Sequence, residues 1–420
     1  MPKLSLLLIQ LGAILLVARF VGLLFKRINQ PQVVGEMVAG ILLGPSFLGW
    51  LSPKTMATLF PLESLGYLNA FGQLGLLVFM FLVGLRLDVK LLKTLGHTAV
   101  LTSHVSIVFP FFLGTLLALY LYPRLSDESV TFVGFALFMG AAMSVTAFPV
   151  LARILTERGM LGSRLGTVAI ACAAVDDVTA WIILAFIVVL VRTSAQHGSL
   201  LLNLLFIVSY ASLMVLGVRR LLARLENQHR LEERFTHNMI ALVLLLVLGS
   251  AAITEWLGIH TLFGAFLVGV IMPKERNFVR DLTEKLEALP VILLVPLFFT
   301  STGLRTRIEL VSGAEMWFYC ALIIVVAIAG KLGGSMLSSR ISGMSWREAG
   351  SLGILMNTRG LMELVILNIG FDIGIISPAL FSMMVLMAIF TTFITTPLLD
   401  VVCRDQRSAK ETLLVKEQLA

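Results

Sequence analysis

The chain has 420 residues, of which 58% are hydrophobic and only 14% are charged, with a formal net charge of +7. A soluble domain would carry about 25% charged residues, so the composition excludes an ordinary soluble protein. Apolar runs of about 20 residues recur along the whole chain, and each can cross a ~30 Å hydrocarbon core. The runs are continuous and lack a period of two, which argues against a transmembrane β-barrel.

Hydropathy and helix breakers together predict an all-α polytopic membrane protein with about thirteen transmembrane spans. We expect residues 1–402 to form one transmembrane unit and residues 403–420 to form a short tail. The predicted spans are 4–24, 33–50, 67–87, 96–121, 131–154, 164–191, 200–221, 238–256, 259–273, 290–304, 315–339, 347–371 and 378–402.

Lys and Arg residues are concentrated in the short loops on one side of the predicted spans. Such a bias marks the cytoplasmic side of a membrane protein. We therefore expect an integral membrane protein of the bacterial inner-membrane type, with its N-terminus outside and its C-terminus in the cytoplasm. The crowded side includes Lys26, Arg27, Arg158, Arg164, Arg219, Arg220, Arg340 and Arg347.

Two predicted spans are interrupted at their middles. Span five contains SVTAFP at 144–149, where Pro149 lacks a backbone donor and disfavours helix at the residue before it. Span twelve contains the polar and flexible run NTRG at 357–360. Backbone freed at that depth must be buried in protein or line a cavity.

The two interruptions occupy matching positions. Each is fifth in a block of six spans, one to six and eight to thirteen, which leaves span seven near 200–221 as a linker. The two broken spans then cross the bilayer in opposite directions. Broken helices at matching places in two inverted repeats are typical of the binding site of a secondary transporter.

Two adjacent carboxylates, Asp176 and Asp177, lie at the middle of span six. One acidic residue at the centre of a membrane helix costs roughly 2.5–3.5 kcal/mol, so the pair must face protein or water and bind something. Adjacent side chains on a helix project about 100° apart, so the two have different neighbours. We expect protons and a small cation to compete for them, with Ser144 and Thr146 as further oxygen ligands beside the break.

Lys331 is a second charged residue inside an apolar run. Because a buried ammonium without a partner is costly, we expect Lys331 to lie against an acidic residue. We choose Asp176, which leaves Asp177 for the cation. Opening of such a pair on cation binding would release a proton from Lys331. The alternative is that Lys331 extends to the membrane surface.

Span twelve carries a second candidate ion pair beside its break. Arg359 and Glu363 stand four residues apart on one helical face. Together with Asn357 and Thr358 they are expected to support the broken helix and neutralise its exposed ends. Direct proton transfer by Arg359 and Glu363 is the alternative.

At these residues the chain resembles the monovalent cation:proton antiporter superfamily, in its second branch. That branch includes bacterial Na⁺/H⁺ antiporters, glutathione-gated K⁺ efflux proteins and plant cation/H⁺ exchangers. The resemblance covers nearly the whole chain. It is carried by VAGILLGPSFLG (38–49), GLRLD (84–88), TAFPVLARIL (146–155), AAVDDVTAWIILA (173–185), GIHTLFGAFLVGVIMP (258–273), LVPLFFTSTGL (294–304) and MNTRGLMELVILNIG (356–370).

The resemblance implies a thirteen-helix homodimer whose core holds two crossed discontinuous helices. It implies that Asp177 is the principal carrier of cation and proton. Asp176 together with Lys331 is similar to the electrogenic, sodium-carrying type. The string around 356–370 is also similar to plant-type exchangers, some of which carry potassium. A C-terminal nucleotide-binding domain, found in many relatives, is not expected in this chain.

The resulting hypothesis is a secondary antiporter that exchanges Na⁺ for protons by alternating access, with K⁺/H⁺ exchange at the same site as the alternative. An ion-coupled symporter and a channel are less favoured. An intramembrane aspartyl protease needs two acids facing each other across a water, which adjacent residues on one helix cannot provide. We expect neither enzymatic activity, nor a cofactor, nor nucleic-acid binding. No GxxxxGK[ST] string occurs, so ion gradients would supply the energy.

Overall fold

A computed structural model describes residues 4–87, 97–127, 130–160, 163–196, 200–220, 222, 224 and 235–418. Within these ranges the chain is helical and contains no strand. The first nine helices are α1 (Leu4–Arg27), α2 (Gln32–Leu43), α3 (Pro53–Leu59), α4 (Leu62–Arg86), α5 (His97–Leu125), α6 (Phe132–Ser144), α7 (Phe148–Glu157), α8 (Arg164–Gln196) and α9 (Leu200–Ser212). They are followed by α10 (His237–Trp256), α11 (Thr261–Ile271), α12 (Arg276–Leu289), α13 (Val295–Arg305), α14 (Gly313–Ile328), α15 (Gly334–Ile341), α16 (Trp346–Met356), α17 (Leu361–Asp372) and α18 (Pro378–Gln418).

The helices confirm the prediction of an all-α membrane protein. In the described part of the chain, nine helical segments are long and apolar enough to cross a membrane, and a bent pair can form a tenth crossing. Three shorter apolar segments fall on the remaining predicted spans, at Gln32–Leu43, Leu205–Val218 and Thr261–Ile271. The total of thirteen crossings stays a prediction, and its boundaries at residues 96 and 221 lie outside the described residues.

Some helix boundaries differ from those predicted. The span predicted at 33–50 is not one helix, because α2 ends at Leu43. Pro45 follows, and the residue before a proline is disfavoured in the helical region. Gly44 is accordingly extended, with φ −84° and ψ −178°, before a π-helical turn at Pro45–Gly49. At the other end of the chain, α18 continues to Gln418, past the predicted boundary at residue 402.

The chain divides into two compact units. The first unit comprises Met1–Phe20, Glu36–Lys93 and Trp181–Thr306, and in it α4 packs against α11 and α13. The second unit comprises Val21–Gly35, Thr94–Ala180 and Arg307–Ala420. In the second unit α5 packs against α6 and α15, while α16 packs against α15 and α18. Both units take segments from both halves of the sequence, and the inverted repeat itself stays a prediction.

Glycines let two helices of the first unit meet backbone to backbone. A Cβ atom on Gly303 of α13 would lie 2.0 Å from the carbonyl carbon of Gly40 of α2, and one on Gly40 would lie 2.4 Å from the carbonyl oxygen of Phe299. Small residues at such a crossing allow the close packing that holds membrane helices together. The crossing therefore has no room for any side chain.

We predict that Gly303→Ala lowers the thermal stability of the purified protein. The added methyl group meets backbone atoms that cannot rotate away, and overpacking of this kind costs about 1–3 kcal/mol. Thermal unfolding in detergent is the measurement. Gly66→Ala is the matched control, because Gly66 lies in α4 with no described heavy atom within 4 Å of an added Cβ. Equal unfolding temperatures for the two variants would contradict the prediction.

Candidate functional site

Two discontinuous helical pairs form the frame of the site in the second unit. Helix α6 ends at Ser144 and α7 begins at Phe148, with Val145 and Ala147 extended between them. Pro149 occupies the first turn of α7, where its missing N–H is not needed. Helix α16 ends at Met356 and α17 begins only at Leu361, and these two helices are bent by 44°. Both interruptions occur where the sequence predicts them.

The two breaks are in direct contact with each other. The N–H of Ala147 donates a hydrogen bond to the carbonyl of Thr358, at 2.9 Å. The hydroxyl of Thr146 donates to the carbonyl of Met356, at 3.0 Å. Each break thus satisfies backbone groups that the other leaves without a helical partner, which is the condition for irregular backbone inside a membrane protein.

Arg359 closes the C-terminal end of α6. Its Nη1 donates to the carbonyl of Ala142 and to Glu363 Oε2, both at 2.7 Å, and its Nη2 donates to the carbonyl of Met143 at 2.8 Å. The last carbonyls of a helix lack intrahelical donors and carry partial negative charge. A fully buried guanidinium therefore satisfies these carbonyls, and the carboxylate of Glu363 balances its charge. The structure brings together the Arg359–Glu363 pair suggested by their spacing.

Asp176 on α8 is fully buried and surrounded by donors. Its Oδ1 accepts hydrogen bonds from the hydroxyls of Ser106 at 2.9 Å and Ser103 at 3.3 Å. Its Oδ2 accepts from Thr146 at 2.9 Å and from Lys331 at 2.5 Å. A buried carboxylate is stable only with such a set of partners. Asp176 is therefore held in one place by three elements of the same unit.

Lys331 lies opposite Asp176, as the expected pairing requires. Its ammonium is fully buried and also donates to the carbonyl of Ser106, at 2.9 Å. Lys331 belongs to a π-helical turn, Ala329–Gly333, between α14 and α15. Such turns are frequent at functional sites. Gly330 brings this turn close to α5, since a Cβ there would lie 2.9 Å from Cβ of Pro110.

Asp177 has a different environment from its neighbour. It is 3% exposed, and among the described residues neither of its carboxylate oxygens has a hydrogen-bond partner. The backbone N–H of Phe148, at the start of α7, faces this carboxylate. A helix N-terminus carries partial positive charge and favours an anion. One carboxylate of the pair thus accepts four side-chain hydrogen bonds, and the other accepts none from a described side chain.

The other predicted side chains take different places. Ser144 donates its hydroxyl to the carbonyls of Gly140 at 2.7 Å and Ile107 at 3.0 Å, rather than to either aspartate. Asn357 Oδ1 and Thr358 Oγ1 are buried in the second break, with no hydrogen-bond partner in the described part of the chain. Thr146 is the member of the set that directly contacts Asp176.

Ser103 and Ser106 both contact Asp176, but the sequence alone does not single them out as candidates. Both lie on α5, within the string TSHVS at 102–106. Four polar residues in five, inside a predicted membrane span, are a signal of the same kind as the two aspartates. Side-chain hydroxyls within membrane helices commonly hydrogen-bond across to a neighbouring helix. The string could therefore have been recognised as the partner of a buried charge.

Comparisons with known proteins show the family to which the chain belongs. The family model described as "Sodium/hydrogen exchanger, transmembrane" matches residues 13–404. The chain is 44% identical over 382 residues to the Na(+)/H(+) antiporter NhaS4 of Synechocystis sp., which covers 91% of this chain and 93% of that protein. It is 41% identical over 412 residues to Cation/H(+) antiporter 17 of Arabidopsis thaliana, covering 96% of this chain but only 49% of that relative.

A solved structure shows the same fold. The sodium proton antiporter MjNhaP1 of Methanocaldococcus jannaschii superposes with a TM-score of 0.64 over 95% of this chain and 97% of that one, at 16% sequence identity. The predicted resemblance to the cation:proton antiporters is confirmed, while the branch within the superfamily stays a prediction. The chain therefore belongs to the sodium/hydrogen exchanger family.

Proposed function

We propose that this chain is a secondary antiporter that exchanges a monovalent cation, Na⁺ first among them, for protons at Asp176 and Asp177. The observation that carries the proposal is the contrast between these neighbours. Asp176 accepts hydrogen bonds from four side chains, and the described residues offer none to Asp177. A buried carboxylate without a partner must take up a proton or a cation. Both are the cargo of an antiporter.

The charge of the site supports one cation at a time. In the described part of the second unit, three carboxylates, Asp176, Asp177 and Glu363, lie buried with two cations, Lys331 and Arg359. When all five are ionised the sum is −1. One proton on Asp177 restores neutrality, and a cation that binds Asp177 displaces this proton. Oxygen ligands of this kind are the ones that hard cations prefer.

Lys331 couples cation binding to proton release in this scheme. Its ammonium and a cation at Asp177 would be two positive charges in one buried site, because Lys331 pairs with Asp176, the neighbour of Asp177. Binding of the cation weakens the hold of Asp176 on Lys331, and the ammonium loses a proton to the open side. Two protons, one displaced from Asp177 and one released by Lys331, then exchange for one monovalent cation, so each cycle moves one net charge. A transmembrane potential supplies ~2.3 kcal/mol per charge per 100 mV.

In this scheme the discontinuous helices expose the site to the two sides of the membrane in turn. Phe148, at the N-terminus of α7, lies beside Asp177, and the break preceding α7 is hydrogen-bonded to the break preceding α17. Movement of one break therefore moves the other. In alternating access, this frame carries Asp177 between the two sides of the membrane. A channel would instead need a continuous pore, and single-channel recording distinguishes it.

The wider assignment follows from the same proposal. The chain acts as an integral membrane protein with protons, a monovalent cation and the lipid bilayer as its partners, and we propose a homodimer with the C-terminus in the cytoplasm. NhaS4 is named as a Na(+)/H(+) antiporter, which supports Na⁺. The plant relative is named only for cation/H(+) exchange, so K⁺ is the second candidate. We propose transport driven by ion gradients, without an enzymatic step or a cofactor.

Replacing the free carboxylate should abolish transport. We predict that Asp177→Asn reduces cation-dependent proton efflux in everted membrane vesicles to the level of vesicles without the protein, because a neutral amide cannot exchange a proton for a cation. The change is isosteric, so assembly should persist on size-exclusion chromatography. Asp127→Asn, at an exposed position, is the control. Exchange retained by Asp177→Asn would refute the assignment of this residue.

Removing the ammonium should change the charge carried in each cycle. We predict that Lys331→Met abolishes the transport current on supported membranes, because the second proton comes from Lys331. Any exchange that remains should be insensitive to the membrane potential. Lys285→Met replaces an exposed lysine and should keep the wild-type current. A wild-type current from Lys331→Met would exclude the proposed coupling.

The choice of cation is open to a direct measurement. We expect proteoliposomes presented with Na⁺, Li⁺ or K⁺ separately to exchange Na⁺ and Li⁺ at concentrations about tenfold below those required for K⁺. A tenfold preference corresponds to about 1.4 kcal/mol of binding. A preference for K⁺ across a pH series would leave the antiport proposal intact and assign the chain to the potassium-carrying type.

A further inference from the structure

The second unit contains a polar cavity away from the aspartates. Its volume is about 360 Å³, and it lies beside the C-terminal ends of α1 and α7 and the middle of α18. Its polar lining includes Lys26 in the last turn of α1, Asn29 just after that helix, Arg158 at the end of α7 and Asp400 on α18. None of these residues belongs to the site around Asp176 and Asp177.

Gln30 is the residue that points to a ligand. It lines the cavity, is only 7% exposed, and its Oε1 is buried without a hydrogen-bond partner among the described residues. An unsatisfied buried amide oxygen costs about 1–3 kcal/mol. It therefore favours an occupant that carries a hydrogen-bond donor such as a hydroxyl group.

The charges of the cavity point to an anion next to that donor. Arg158 donates to Asp400 at 2.9 Å and to the carbonyl of Thr396 at 3.1 Å, so these two charges balance each other. Lys26 adds a further positive charge at the rim. The sum over Lys26, Arg158 and Asp400 is +1. A phosphodiester carries one negative charge and only acceptor oxygens, which suits the ammonium and guanidinium donors.

The depth of the cavity points to a lipid as the source of the phosphate. Lys26 stands one residue before the end of α1, and Asp400 two residues before the end of the apolar segment Pro378–Val402. Because the ends of apolar spans reach the lipid headgroups, we expect these positions at that level. Leu23 and Leu24 at this end of α1, and Ile28 just after it, are exposed. They offer an apolar surface to acyl chains beside the polar cavity.

We propose that this cavity binds the headgroup of an anionic phospholipid that carries hydroxyl groups, of the phosphatidylglycerol type. Lys26 and Arg158 contact the phosphate, and the Oε1 of Gln30 accepts a hydrogen bond from a headgroup hydroxyl. The lipid thereby joins α1 to α7, the half-helix whose other end lies beside Asp177. This proposal concerns stability and holds whichever ion the site carries.

The test compares lipids that share a phosphate. Purified, delipidated protein is unfolded thermally with added phosphatidylglycerol, phosphatidylcholine or soluble glycerol 3-phosphate. Phosphatidylglycerol should raise the unfolding temperature by about 2–5 °C at saturation. Phosphatidylcholine has the phosphate but no hydroxyl donors on its headgroup, and should shift it far less. A full shift with glycerol 3-phosphate would assign the site to a soluble phosphate and overturn the lipid.

Variants locate the effect in the cavity. Lys26→Gln and Gln30→Leu should each remove most of the shift and lower the number of phosphatidylglycerol molecules retained in native mass spectrometry. Arg27→Ala is the matched control, because it removes an adjacent exposed positive charge that does not line the cavity. An equal shift in all four proteins, or the same shift with both phospholipids, would overturn the proposal. Lys26→Gln replaces an exposed side chain by a somewhat shorter polar one, so loss of folding is not expected.

Discussion

Buried charge is the constraint on which the second unit depends. Asp176 and Lys331 form one ion pair without solvent exposure, and Arg359 and Glu363 form another. Such pairs add little stability by themselves, but removing one partner typically costs 3–5 kcal/mol because the other charge remains buried. The pairs are therefore fixed in geometry. Asp177 is the acid that this arrangement leaves without a side-chain donor in the described part of the chain, and we therefore propose it as the place where a mobile charge binds.

The backbone obeys the same rule as the side chains. Two helices are interrupted inside the unit, and each interruption exposes peptide groups that lipid could not satisfy. The hydrogen bond from Ala147 to Thr358 and the contacts of Arg359 with the end of α6 satisfy part of this demand within the protein. The irregular segments are thus held by one another, and a change in one requires a change in the other.

Much of this organisation could be predicted from single residues. Pro149 and the run NTRG at 357–360 predict the two breaks. Charged residues inside apolar runs indicate Asp176, Asp177, Lys331 and the Arg359–Glu363 pair. Hydropathy does not predict the contacts of Ser103 and Ser106, because a serine changes the mean hydropathy of an apolar run very little. It also could not foresee that Ser144 bonds to carbonyls of its own helix and of α5, since that choice depends on the rotamer and on a neighbouring helix. The predicted span continues to residue 50, past the end of α2 at Leu43, because the sequence on both sides of Pro45 is mostly apolar.

The hydroxyl of Thr146 lies between two acceptors. It lies 2.9 Å from Asp176 and 3.0 Å from the carbonyl of Met356, and both are acceptors. A hydroxyl group has a single hydrogen, so it can serve only one of the two at any instant. When a proton resides on Asp176, that acid can itself donate to the threonine oxygen and release the hydroxyl hydrogen toward α16. Rotation of the Thr146 hydroxyl about its carbon–oxygen bond thereby couples the protonation of Asp176 to the end of α16.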